Sequence, residues 1–153
     1  MAIMRVVEGV GGGPRAQAEP RYRILIAEDE PVVAEGLRAQ AEALGHRVVG
    51  IAFDGPDAVA KAVSLEPEMI LLDIRMPGLD GIEAARQIMA RRPAPVILIT
   101  AHTNADLIDR AATAGVMGYL VKPVGRKDLA PAMIIAAGRF QDLTTLRGDA
   151  QSV

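Results

Sequence analysis

Met69-Ile70-Leu71-Leu72-Asp73 sets four apolar side chains in a row and stops on a carboxylate. An unbroken apolar run of this length suits a strand covered on both faces, as strands of a parallel sheet are. The pattern returns three times. Ile24-Leu25-Ile26-Ala27 stops at Glu28-Asp29, Val96-Ile97-Leu98-Ile99 at Thr100, and Gly118-Tyr119-Leu120-Val121 at Lys122. If the runs are parallel strands of one sheet, their polar ends share an edge. Three carboxylates, a hydroxyl and an ammonium then converge on one crevice.

The segments between the runs carry helical periodicity. Pro31 to Leu44 places Val33, Leu37, Ala41 and Leu44 on one stripe, and Gly45 ends it. Residues 47–53 form a second strand of mixed polarity, which belongs at an edge. Gly55-Pro56-Asp57 opens a helix to about Leu65, and Gly81 to about Ala90 forms the next. Asn104 or Ala105 to Ala114 is a helix with Gly115 as its natural cap, and residues 117–121 form the fifth strand. A last helix starts near Arg126 and extends toward Arg147, with a kink or a late start predicted at Pro131. Five strand–helix units with short connections predict an α/β fold: a doubly wound, five-stranded parallel sheet of order 2-1-3-4-5, flavodoxin-like. In that order ligands bind outside the carboxyl ends of strands 1 and 3, where Glu28-Asp29 and Asp73 fall.

Residues 1–20 read as a disordered N-terminal extension. Gly11-Gly12-Gly13-Pro14 has nothing to bury, and no Gly-Lys-Ser/Thr follows to make a phosphate loop. Residues 21–138 form the predicted domain, and 139–153 a helical extension or tail in which Phe140 and Leu143 continue the spacing of Met133 and Ala136.

Composition narrows the function. The 153 residues are half apolar with only two Tyr and two Phe, so the core is aliphatic. A net charge of −2 without a long basic run argues against nucleic-acid binding by these residues. The chain has no cysteine, so disulfide and thiolate chemistry are excluded. No apolar stretch approaches the ~20 residues that span a bilayer, and no signal-peptide order is present. A cytoplasmic protein with no membrane association is expected.

The crevice has its own logic. At an effective dielectric near 20, unit charges ~4 Å apart interact by about 4 kcal/mol. Carboxylates so placed take up a proton or gather a cation. Mg²⁺ suits one or two carboxylates, waters and a phosphate oxygen, and no His or Cys cluster competes for a softer metal. Asp73 is the candidate nucleophile, since a carboxylate can attack phosphorus to give an acyl phosphate. Lys122 and Thr100 would meet the phosphoryl oxygens. Singly, each residue has an ordinary explanation: a helix start before Pro31, a loop brace, a backbone hydrogen bond, a solvated charge. Their coincidence at the ends of four runs favours a site.

These residues resemble the receiver domain of bacterial two-component response regulators. The likeness covers about residues 21–138 and rests on Ile24 to Glu30, on Leu71-Leu72-Asp73-Ile74-Arg75-Met76-Pro77-Gly78-Leu79-Asp80-Gly81, on Ile99-Thr100-Ala101 and on Tyr119-Leu120-Val121-Lys122-Pro123. The resemblance implies that Asp73 accepts a phosphoryl group from a histidine kinase or phosphotransfer protein. It implies that Glu28, Asp29, Asp73 and the Arg75 carbonyl hold Mg²⁺, and that Thr100 and Lys122 contact the phosphoryl group. Tyr119 matches an aromatic that changes rotamer with the threonine, and the Lys122-Pro123 bond is cis in the family. Many relatives carry two aspartates where this chain has Glu28-Asp29; the longer arm would reach the metal through water. Arg75 and His102 each lie two residues past a site residue and are candidates to flank the path of the hydrolytic water.

The expected output is a switched face on the fourth helix, fifth strand and fifth helix, which controls a protein partner or output domain. The segment from Ile99 to Gln141 is most similar to receivers of the antiterminator subfamily, which usually carry a helical RNA-binding domain. The chain stops at Val153 without one, so a stand-alone receiver and the receiver part of a longer parent both stay open. A receiver-like dimerisation module without phosphorylation also stays open, as does homodimerisation through the tail. An aspartyl-phosphate phosphatase is disfavoured, because such enzymes commonly carry an acid two residues after the nucleophile and Arg75 stands there. The chain is not expected to be an enzyme beyond its own phosphorylation and dephosphorylation.

Overall fold

The computed structural model describes residues 21–101 and 104–152, with side chains described as far as residue 145. The proposed extension over residues 1–20, and His102, lie outside the described residues. The elements run β1 (Arg23–Ala27), α1 (Pro31–Ala43), β2 (Arg47–Ala52), α2 (Gly55–Leu65), β3 (Met69–Asp73), α3 (Gly81–Arg91), β4 (Val96–Thr100), α4 (Ala105–Thr113), β5 (Gly118–Val121) and α5 (Arg126–Ser152). The strands form one sheet in the order β2-β1-β3-β4-β5, each pair parallel. β2 lies at an edge, and its register against β1 shifts between Ile24 and Leu25.

Alternation along the strands explains the two-sided burial. Leu25, Ile70, Leu72, Val96 and Leu98 pack on one face with Ala58, Ala62, Ile82, Ile88 and Ala111, which come from α2, α3 and α4. Ile24, Ile26, Leu71, Ile97 and Ile99 pack on the other with Leu37 and Ala41 of α1 and Leu129, Met133 and Ala136 of α5. Successive strand residues point to opposite faces, so the central strands β1, β3 and β4 are apolar along their covered length. No aromatic ring lies in the fully buried set, and Phe53 is exposed.

Helix ends follow local chemistry. Asp54, Asp80 and Asn104 each accept a backbone N–H of the first turn, at 2.7, 2.9 and 2.9 Å. Gly45 and Gly115 follow α1 and α4 with φ of +96° and +93°. The end of α2 is less ordinary. Glu66 holds φ at +52°, and Arg23 donates to the Leu65 and Glu66 carbonyls at 2.7 and 2.6 Å.

α5 departs from one expectation: it does not start late. It begins at Arg126, where Asp128 accepts the Gly125 N–H at 3.1 Å, and passes through Pro131 as a single helix. Pro131 costs the helix one donor. Leu129, Met133 and Ala136, all buried under the sheet, hold the helix together across that gap. Its far end lies at Ser152, beyond the predicted Arg147.

Candidate functional site

Register alone places the polar residues together. Asp73 ends β3 opposite Ile99, so Thr100 stands one step on at the end of β4, and Thr100 in turn pairs with Val121 beside Lys122. Glu28 follows β1, whose Ala27 pairs with Leu72. The backbone ties the ends: Glu28 N–H donates to the Ala52 carbonyl at 2.9 Å, and Lys122 N–H to the Thr100 carbonyl at 2.8 Å.

Two glycines set the loop after Asp73. The Gly81 N–H donates to the Ile74 carbonyl at 2.7 Å, and a Cβ on Gly81 would stand 2.1 Å from the Asp73 carbonyl oxygen. The Gly55 N–H donates to the Pro77 carbonyl at 3.1 Å, and a Cβ there would stand 2.1 Å from the Leu79 carbonyl oxygen. The sequence pattern marks Gly55 and Gly81 as helix openers and carries no sign of this packing. The only sequence signal was glycine at the first helical position of both α2 and α3.

The side chains carry unequal burial. Glu28 is wholly buried, Asp73 and Thr100 nearly so, and Asp29 stands toward the opening. One oxygen each of Glu28, Asp29 and Asp73 lies within 4.8 Å of the others. The Lys122 ammonium reaches between them, 2.9 Å from Glu28 Oε1 and 3.5 Å from Asp73 Oδ1. Glu28 Oε2 accepts the Glu30 N–H at 3.1 Å. Glu28 Oε1, although in that ion pair, has no well-aligned hydrogen bond.

The charges are therefore under-compensated. Burial pushes the Glu28 carboxyl above its usual value, against the pull of Lys122 and the Glu30 N–H. Burial does the same to Asp73, opposed by the Lys122 charge and an Arg75 backbone N–H and reinforced by Asp29. Burial would lower Lys122, but Glu28 and Asp73 together outweigh it and hold its ammonium above the ordinary range. Among the described residues, one cation stands among three carboxylates and leaves a deficit that a hard divalent ion fits, with carboxylate oxygens grouped within reach and one buried oxygen poorly satisfied.

The remaining predicted residues lie around this group. Arg75 brings its backbone to Asp73 while the residue itself is exposed. The Lys122-Pro123 bond is cis. Tyr119 is 46 % exposed and shares with Thr100, Ile74 and Leu107 the lining of a cavity of about 200 Å³ between α4 and β5. Arg139 of α5 closes its far side and donates to the Met117 carbonyl at 2.9 Å. Arg110 of α4 meets Asp80, the cap of α3, at 3.5 Å. His46 lies far from the site, accepting the Tyr22 N–H at 3.1 Å.

Comparison with known proteins shows the family and the fold. Residues 24–134 match the family model described as the response regulator receiver domain. The chain is 42 % identical over 140 residues to the transcriptional regulatory protein PdtaR of Mycobacterium tuberculosis, covering 90 % of this chain and 68 % of the relative. Its structure resembles the signal receiver domain of a modulated diguanylate cyclase from Desulfovibrio desulfuricans, with a TM-score of 0.74 and 34 % identity, covering 80 % of this chain and 98 % of the other. It also resembles the receiver domain of a sensor histidine kinase from Pseudomonas aeruginosa, solved with a magnesium ion coordinated in the active site cleft. That match has a TM-score of 0.69 and 34 % identity and covers 78 % of this chain and 99 % of the other.

Proposed function

The chain belongs to the response regulator receiver domain family of two-component signalling, and on that footing we propose that it is the phosphoacceptor of a His-Asp phosphorelay, with Asp73 as the residue phosphorylated. An Asp73 carboxylate oxygen attacks the phosphorus of a phosphohistidine on a histidine kinase or phosphotransfer protein. The new O–P bond forms as the P–N bond breaks and the imidazole leaves. Glu28, Asp29, Asp73 and the Arg75 carbonyl are the residues that would hold Mg²⁺. When bound, the ion supplies neutralising charge beside the phosphoryl oxygens. Lys122 gives up part of its pairing with Glu28 to meet a phosphoryl oxygen, and the Thr100 hydroxyl donates to another.

A phosphoryl group brings a charge of about −2 to Asp73. Thr100 and Lys122 reorganise, Tyr119 turns toward the cavity it lines, and the face of α4, β5 and α5 changes for a protein partner or an output domain. Residues 21–138 are the switching unit, followed by residues 139–153 as an extension or tail. The setting is the cytoplasm, and the chain is not an enzyme beyond its own phosphorylation and dephosphorylation. Among the described residues no helix is long and apolar enough to cross a membrane.

The observation that carries this reading is the Lys122 ammonium set 2.9 and 3.5 Å from two of three clustered carboxylates. Incubation with acetyl phosphate and Mg²⁺, followed by intact-mass measurement, tests it. The wild-type chain should gain one phosphoryl group and slowly lose it, Asp73→Ala should gain none, and chelation should suppress uptake. A wild-type chain that gains none is a fixed dimerisation module, and one that turns over added phosphate esters is a phosphatase; either result overturns the reading.

A further inference from the structure

Lys122 reaches the carboxylates from the connection between β5 and α5, residues 122–125. Both ends of that connection are anchored. The Lys122 N–H donates to the Thr100 carbonyl at 2.8 Å, and the Gly125 N–H to Asp128 Oδ2 at 3.1 Å. Between them Pro123 has no N–H to offer. A third tie comes from α1: Gln40 Nε2 donates to the Val124 carbonyl at 2.7 Å, across 84 residues of sequence. Among the described residues it is the only hydrogen bond between α1 and the connection. A groove of about 430 Å³ opens around it, with Val33, Leu37 and Gln40 on one wall and Ile99, Pro123 and Val124 on the other.

Packing does not call for glutamine at this place. Leu37 and Ala41, its neighbours on α1, are buried and apolar, and an unbranched apolar side chain would cover the same surface. Gln40 Oε1 is buried without a hydrogen-bond partner, which disfavours the folded state. Turning the amide over gives no relief, because its oxygen would then face the Val124 oxygen, acceptor against acceptor. What the residue supplies is one N–H, aimed at a carbonyl two residues past Lys122.

We propose that Gln40 is a positioning residue for phosphoryl transfer: by fixing the Val124 carbonyl it sets the reach of the Lys122 ammonium, 2.9 Å from Glu28 Oε1 and 3.5 Å from Asp73 Oδ1. The inference rests on the reading of Asp73 as phosphoacceptor. Gln40 bonds to none of the three carboxylates and acts through Lys122. Such a distant bond matters because transfer depends on alignment, and a misplacement of ~1 Å can cost about 10²-fold in rate. With the tie to Val124 lost, the connection keeps its two outer anchors, and the ammonium gains freedom between Glu28 and the incoming phosphoryl oxygen. The expected signature is a slower transfer with metal affinity unchanged.

Gln40→Met keeps the length of the side chain and removes the N–H, and circular dichroism and thermal unfolding check that it folds. At saturating Mg²⁺ its maximal rate constant for uptake from acetyl phosphate should fall about tenfold, while Mg²⁺ affinity by calorimetry stays within about twofold of the wild type. In a Lys122→Ala background the same substitution should slow uptake no further, since the ammonium it places is gone. One readout needs no phosphoryl donor. Limited acetylation by acetic anhydride, mapped by mass spectrometry, should modify Lys122 several times faster in Gln40→Met. Lys61, bonded to Asp57 and the Ile51 carbonyl, serves as the internal control and should react at the wild-type rate. Unchanged uptake in Gln40→Met overturns the proposal. So does a loss undiminished in Lys122→Ala, a parallel fall in Mg²⁺ affinity, or Lys122 acetylation at the wild-type rate. A wild-type chain that takes up no phosphoryl group brings down the phosphorelay reading instead, and acetylation then decides alone whether Gln40 holds Lys122.

Discussion

The two ends of the sheet treat charge in opposite ways. At the amino end, Arg23 sends its guanidinium to the carbonyls of Leu65 and Glu66 at 2.7 and 2.6 Å, and its N–H to Glu68 Oε1 at 2.9 Å. Arg23 is thus spent on partners the fold already holds, including the carbonyls left over at the end of α2. At the carboxyl end, three carboxylates crowd around one ammonium, and two of them are held above their usual pKa by burial. One end is finished as folded; the other keeps a charge deficit that the proposed divalent ion and phosphoryl group would complete. Stability is given up where binding is needed, and the same strands supply both ends.

Substitutions can break this contrast at either end. The largest effect is expected from Gly81→Ala, whose Cβ would stand 2.1 Å from the Asp73 carbonyl oxygen. Forcing the backbone apart there should cost about 3 kcal/mol in denaturant unfolding and should also displace Asp73, reducing phosphoryl uptake. Next comes Lys122→Ala. It leaves the buried Glu28 without its cation, for a loss of about 2 kcal/mol at pH 7 that shrinks on acidification as Glu28 takes up a proton. Uptake of phosphoryl groups should fall at any pH.

At the amino end the pattern should differ. Arg23→Ala removes two hydrogen bonds from a partly exposed guanidinium and should cost about 1 kcal/mol, while uptake at Asp73 stays as in the wild type. A drop in uptake for Arg23→Ala would mean the two ends are coupled. The smallest effect is expected from Arg110→Ala. Its ion pair with Asp80 is half-exposed on both sides, and equilibrium unfolding should shift by no more than about 0.5 kcal/mol.

The two ends were also unequally legible in the sequence. Apolar runs that end on polar residues announce strands and their carboxyl edge, so the sheet order and the nearness of Glu28, Asp29, Asp73, Thr100 and Lys122 followed from local pattern. Contacts between residues far apart in sequence left no such trace. Arg23 reaches carbonyls 42 and 43 residues away. Gly55 and Gly81 are glycines because another segment's backbone passes close by, which no single-segment pattern encodes. At Pro131 the local cost is legible, while the burial of Leu129, Met133 and Ala136 that lets the helix start at Arg126 is tertiary.

The claim beneath all this is that the carboxylate group is destabilising until a divalent ion joins it. Folded Glu28 and Asp73 have pKa values raised above those of the unfolded chain, so metal-free stability should fall as pH rises through the folded values. Thermal unfolding of the wild type and Asp73→Asn at pH 7, with chelator and with Mg²⁺, tests the claim directly. Without metal, Asp73→Asn should be the more stable by about 1 kcal/mol; with Mg²⁺ at a hundred times its Kd, the wild type should gain about 2.7 kcal/mol and overtake it. A metal-free wild type more stable than Asp73→Asn, or one whose melting temperature ignores Mg²⁺, would contradict the account.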